Sequence, residues 1–129
     1  MKRTDKQNKE YDVKLLATIE CEEFEKKNPF EFYYYGCGPG GIGDWFVPDT
    51  MWGLSMRPAC RIHDWDYRHG EGCSEEHRKE CDQRLRDNCK IIVNYHTKSK
   101  IVKSLRYVRI NTYYFMVRTC GKSSYWNER

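Results

Sequence analysis

Pro29, Gly36, Gly38, Pro39, Gly40, Gly41, Gly43, Pro48 and Gly53 all fall in one short stretch of this chain. Proline removes a backbone donor and glycine offers no side chain to pack, so the stretch from Asn28 to about Pro58 is expected to form a long ordered loop without regular structure. Loops of that length inside compact domains tend to carry function. The scaffold must then come from what flanks it.

Downstream the pattern turns helical. Pro58 suits a first turn, and "ACRIHDWDYRH" runs on to a stop at Gly70, which predicts one helix. Ser74, with Glu75 and Glu76 after it, opens a second that reaches Val93 or beyond. After the polar break "HTKSK", Ile101, Leu105, Val108, Thr112 and Phe115 recur at helical spacing and Gly121 offers a stop, which predicts a third; the aromatic "NTYYFMV" segment within it is expected to be core. Upstream, residues 1–28 read as a loose polar tail with a peripheral helix over "VKLLATIECEEFEKK", where Leu15, Leu16, Ile19 and Phe24 share a face. The expected fold is mainly α and a single domain: tail and peripheral helix over residues 1–28, and a domain over residues 29–129 with two antiparallel helices, a glycine-rich loop and a third, C-terminal helix.

The length of 129 residues allows one core, and with ten Tyr, five Phe and four Trp that core must lean on rings. Charge is uneven. Residues 90–129 carry nine Lys or Arg against one acid, Glu128, which suggests an anionic partner or a solvated helix face. The N-terminus lacks the apolar run of a signal peptide and no stretch could span a bilayer. Location stays open between the cytoplasm, release by lysis and carriage on a viral particle. Seven cysteines leave at least one without a partner within the chain. Their number favours disulfides and the missing export signal favours thiols, so the redox state is open.

On the first downstream helix Cys60, His63, Asp64 and Tyr67 stand three and four apart, in one stripe. His63 is a candidate base for water near neutral pH. Asp64 lies about a hundred degrees around the helix from His63, where it can hold a metal. Calcium takes six to eight oxygens, often main-chain carbonyls, and "GCGPGG" supplies carbonyls with no side chains in the way. A cation there would polarise an ester carbonyl while His63 took the proton of the attacking water. The carboxylate that orients His63 must come from the neighbouring antiparallel helix, where Asp82 is at a compatible distance in sequence, and Tyr67 could bond the same carboxylate.

"GCGPGG", then "CRIHDWDY", then "CD" in a later helix resembles phospholipase A2, the calcium-dependent esterases that cleave the sn-2 acyl ester of glycerophospholipids. The resemblance runs from Tyr35 to Cys89. "GPG" is closest in wording to the viral-capsid branch, and "VPDTMWGLSMRPACRIHD" is similar to the short bacterial and fungal branch. It implies His63 as general base, Asp82 as its partner, Tyr67 as support for both, and Ca²⁺ held by Asp64 and the carbonyls of Gly36, Gly38 and Gly40. It also implies a Cys37–Cys60 disulfide. Trp65 and Asp66 stand where animal forms carry cysteines, so most of that disulfide framework is absent. An additional Asp44 in the loop could add an oxygen. The implied partner is a phospholipid membrane or micelle surface, anionic in view of the basic last third, with no nucleic acid and a monomeric protein.

Other readings use other features. A non-catalytic lipid- or protein-binding module could keep the scaffold, and a His-Asp metal phosphohydrolase would need further histidines. Cys73, His77 and Cys81 recur every four residues and could hold zinc, against a Cys73–Cys89 disulfide or plain buried thiols. His69 and His96 are expected to be solvated, without partners. Trp45, Phe46, Val47, Met51, Trp52, Leu54 and Met56 could cap the helices or dip into lipid. A basic C-terminal helix could also bind DNA, with strong salt dependence.

Overall fold

A computed structural model of the chain describes residues 13–35, 50–51, 54–69 and 74–127. Over those residues it is mainly α. The elements are α1 (Ile19–Lys27), α2 (Pro29–Tyr34), the strands β1 (Thr50–Met51) and β2 (Leu54–Ser55), α3 (Arg57–His69), α4 (Glu75–His96), α5 (Lys100–Cys120) and α6 (Lys122–Asn127).

The helix starts follow from side chains that accept orphan amides. Ser74 Oγ accepts from His77 N, Ser99 Oγ from Val102 N and Thr18 Oγ1 from Cys21 N, at 3.1, 3.3 and 3.1 Å. The Thr18 cap corrects the expected N-terminal helix: residues 13–18 are non-helical and α1 begins only at Ile19. Leu15 and Phe24 pack inward, whereas Leu16 and Ile19 are exposed. Two further corrections fall in the glycine-rich region, where α2 forms with Pro29 in its first turn and β1 pairs antiparallel with β2, Thr50 opposite Ser55 and Met51 opposite Leu54.

The two long helices after α3 each run antiparallel to their predecessor. Met56, Ala59 and Cys60 share a core with Leu85, Cys89, Ile92 and Val93, while Tyr67 meets Cys81 at the other end of the pair. From α5, Ile110, Tyr113 and Val117 complete the main core. Each fully buried aliphatic side chain there contributes about 1.5 to 3 kcal/mol. The opposite side of α3, Ile62 and Trp65, is covered by Cys21, Phe24, Phe32 and Tyr35 from the N-terminal helices. Asn88, fully buried in α4, donates to Leu16 O at 2.8 Å and accepts from Leu16 N at 2.6 Å, which pins the extended N-terminal segment to the long helices.

At the C-terminal end Gly121 is the cap of α5, as expected, but with φ −81° it lies in the right-handed region. The chain therefore continues into α6, whose Tyr125 is buried against Tyr67 and Cys81. Of the "NTYYFMV" segment, Tyr113 and Val117 are core and Phe115 is exposed, so the core expectation holds for one side of the helix.

Candidate functional site

The three helices α3, α4 and α5 converge on one carboxylate. His63 Nε2 lies 2.8 Å from Asp82 Oδ1, and Tyr67 donates its hydroxyl to the same oxygen at 2.5 Å. The other oxygen, Oδ2, accepts from Arg118 Nη1 at 2.7 Å, with Arg78 Nη1 at 3.7 Å. Asp82 is 0% exposed, so an unpartnered charge there would be prohibitive, and three hydrogen-bond donors and the nearby Arg78 cation answer it. Burial pushes its carboxyl up, but the bonds from His63, Tyr67 and Arg118 outweigh that and hold it below the ordinary carboxylate range. Tyr67 is driven the other way, upward, by burial and by the adjoining Asp82.

The carboxylate sets the tautomer of the histidine. An ionised carboxylate accepts and cannot donate, so His63 Nε2 carries a proton, and in the neutral ring Nδ1 keeps its lone pair. The His63 and Tyr67 rings lie 4.2 Å apart between centroids, and Tyr125 stands edge-on to Tyr67 at 5.0 Å. Tyr125 is in turn anchored by His77 Nδ1 at 2.8 Å and Ser74 N at 3.3 Å. His63, Asp82 and Tyr67 are thus brought together in the pattern the helical spacing suggests.

Asp64 follows His63 on α3 and is paired one turn on along the same helix. Its side chain is 15% exposed and accepts from Arg68 Nε at 3.1 Å. A cation taken up by Asp64 would compete with that guanidinium. Gly36, Gly38, Gly40 and Asp44 lie outside the described residues. Among the described residues, no three His, Cys, Asp or Glu side chains are grouped to hold a metal ion. The oxygen donors that can be tested reduce to Asp64, a hard ligand of the right chemistry one residue from His63.

Cys60 is in a disulfide, and Cys37, its expected partner, lies outside the described residues. Cys89 is a buried free thiol, pushed up to about 12 by burial, which rules out a Cys73–Cys89 bridge. His77 faces Tyr125 and lies 3.6 Å from Cys81 Sγ through Nε2. His69 is exposed, as expected, but it does have partners: Nε2 meets the Tyr35 hydroxyl at 2.8 Å and its ring stacks on Phe24 at 5.6 Å between centroids. His96 lies edge-on to Tyr95.

Sequence reasoning missed Arg118, Arg78 and Tyr125. A buried carboxylate signals that cations must reach it, but not from which helix. Another ion pair, Arg84 Nη1 to Asp66 Oδ2 at 2.6 Å, sits one turn away on the α3–α4 seam. Burial raises Asp66, with Arg84 opposing. No family model, curated protein or solved structure matches the chain.

Proposed function

We propose that this protein hydrolyses the sn-2 acyl ester of glycerophospholipids with a water activated by His63, in the manner of a phospholipase A2-like esterase. The observation that carries the reading is the hydrogen bond between His63 Nε2 and the fully buried Asp82, which leaves Nδ1 as a base. In this scheme Nδ1 takes a proton from water as the water oxygen bonds to the ester carbonyl carbon. Asp82 stabilises the imidazolium that forms, and Tyr67 and Arg118 keep its oxygens in place. Collapse of the tetrahedral oxyanion breaks the ester C–O bond, and the imidazolium returns its proton to the departing alkoxide. Cys60, the sulfur nearest the base along the stripe, is committed to a disulfide, in keeping with direct attack by water.

Calcium, once bound, would supply positive charge to the oxyanion. Asp64 and the Gly36, Gly38 and Gly40 carbonyls are the groups assigned to hold it. The Arg68 contact of Asp64 favours one second reading, a non-catalytic lipid- or protein-binding module that keeps the scaffold. Fatty-acid release from mixed phospholipid micelles, with and without a calcium chelator, separates the two. We expect release that the chelator suppresses and that His63→Gln abolishes, with the circular dichroism of the variant unchanged. Release that survives His63→Gln would refute the assigned base, and calcium binding without any release would leave the binding module.

A further inference from the structure

Helix α5 carries two apolar rows and buries only one. Ile110, Tyr113 and Val117 face the core, whereas Ile101, Leu105, Val108 and Phe115 are 75%, 43%, 63% and 68% exposed. The exposed four, with Thr112 and Thr119, alternate steps of four and three along the opposite side of the helix. Thr112 Oγ1 donates to Val108 O at 2.9 Å and Thr119 Oγ1 to Phe115 O at 2.8 Å, so both hydroxyls are satisfied by their own helix and the methyl groups continue the row. The result is an apolar strip roughly 27 Å long. A continuous strip of that size on a surface marks a contact face.

Charge decides the occupant. Between Asn88 and Asn127 the chain contains no Asp or Glu; Lys100 and Arg109 are exposed on α5 flanking the strip, and Lys98 is exposed just before the helix. A second copy laid on it would bring two cationic helices together without a carboxylate from either. An anionic lipid surface neutralises the same cations and accepts the apolar row at the boundary between headgroups and acyl chains. We propose that α5 docks on an anionic phospholipid surface through Ile101, Leu105, Val108 and Phe115, with Lys98, Lys100 and Arg109 at the headgroups. This deepens the esterase reading by naming the face that meets the substrate's surface, and rests on it only for the purpose of docking, which itself needs neither His63 nor calcium.

The test is co-sedimentation in chelator with vesicles of phosphatidylcholine alone and of phosphatidylcholine with an equal amount of phosphatidylglycerol. The wild type should bind the anionic vesicles. Leu105→Ser with Phe115→Ser should weaken that binding by about tenfold or more. Lys100→Gln with Arg109→Gln should remove most of the preference for phosphatidylglycerol. Both double variants should keep the wild-type circular dichroism spectrum, since all four side chains are solvent-facing. Absent binding by the wild type, or equal binding by the wild type and the apolar variant, overturns the proposal. So does a wild-type dimer in sedimentation equilibrium that Leu105→Ser with Phe115→Ser makes monomeric, because the strip then belongs to a second copy. Docking without fatty-acid release would sink the site reading alone, and release from micelles without docking would sink this one alone.

Discussion

Asp82 is the residue on which the site turns, and Arg118 is its strongest cationic contact. Removing one partner of a buried pair exposes the other's desolvation penalty, and Arg78 at 3.7 Å replaces only part of the loss. Arg118→Met should therefore cost about 2 to 4 kcal/mol in urea unfolding at neutral pH. The pH dependence has a definite sign. Because the folded state holds the Asp82 carboxyl below its ordinary value, its contribution is complete above the ordinary carboxylate range and is lost as pH falls through the lowered value. In Arg118→Met that value rises, so the acid-unfolding midpoint, followed by far-ultraviolet circular dichroism, should move to higher pH. An unmoved midpoint would mean that Arg118 does not hold the charge. Asp66 contributes with the opposite sign: burial raises its carboxyl, so protonation relieves a penalty instead of adding one.

Among the elements, α5 shows how a helix chooses its rotation. Tyr107 donates to Asn94, the Arg86 guanidinium lies 4.7 Å from the Tyr114 ring centroid, and Arg118 reaches Asp82, three polar rungs descending the antiparallel α4–α5 seam. Turning α5 by half a revolution would bury the Ile101, Val108 and Phe115 row instead, but would carry all three rungs to the wrong flank. The polar rungs therefore favour the observed rotation. The N-terminal segment depends on a different device. Asn88→Ala removes both bonds to Leu16 from a fully buried position, and should cost about 1 to 3 kcal/mol and speed hydrogen exchange at the Leu16 amide well ahead of α4. Exchange at Leu16 as slow as in the wild type would show that apolar contacts alone hold residues 13–18.

At the scale of the whole molecule, the free cysteines among the described residues sort by depth. Cys21 and Cys89 are buried thiols raised by burial, whereas Cys120 is exposed at the end of α5. Of these three, Cys120 alone should react with iodoacetamide in the native state, and mass mapping should find Cys21 and Cys89 modified only after denaturant is added. Early modification of Cys89 would mean that the α3–α4–α5 core opens far more readily than its packing implies.

The long helices, the Ser74 cap and the pairing of His63 with Asp82 could be read from the chain, because caps are local and helical spacing fixes which residues share an axis. Spacing leaves open the rotation of each helix about that axis. The apolar row named from α5 was therefore a real helical stripe on the solvent side. Helix α2 was hidden by the glycines and prolines around it, and Arg118 by the thirty-six residues that separate it from Asp82. Sequence determined the three long helices and the pairing of His63 with Asp82; tertiary packing decided the faces, the cations at Asp82 and the short elements around the glycines. Those depend on desolvation, which acts only once distant segments exclude water together.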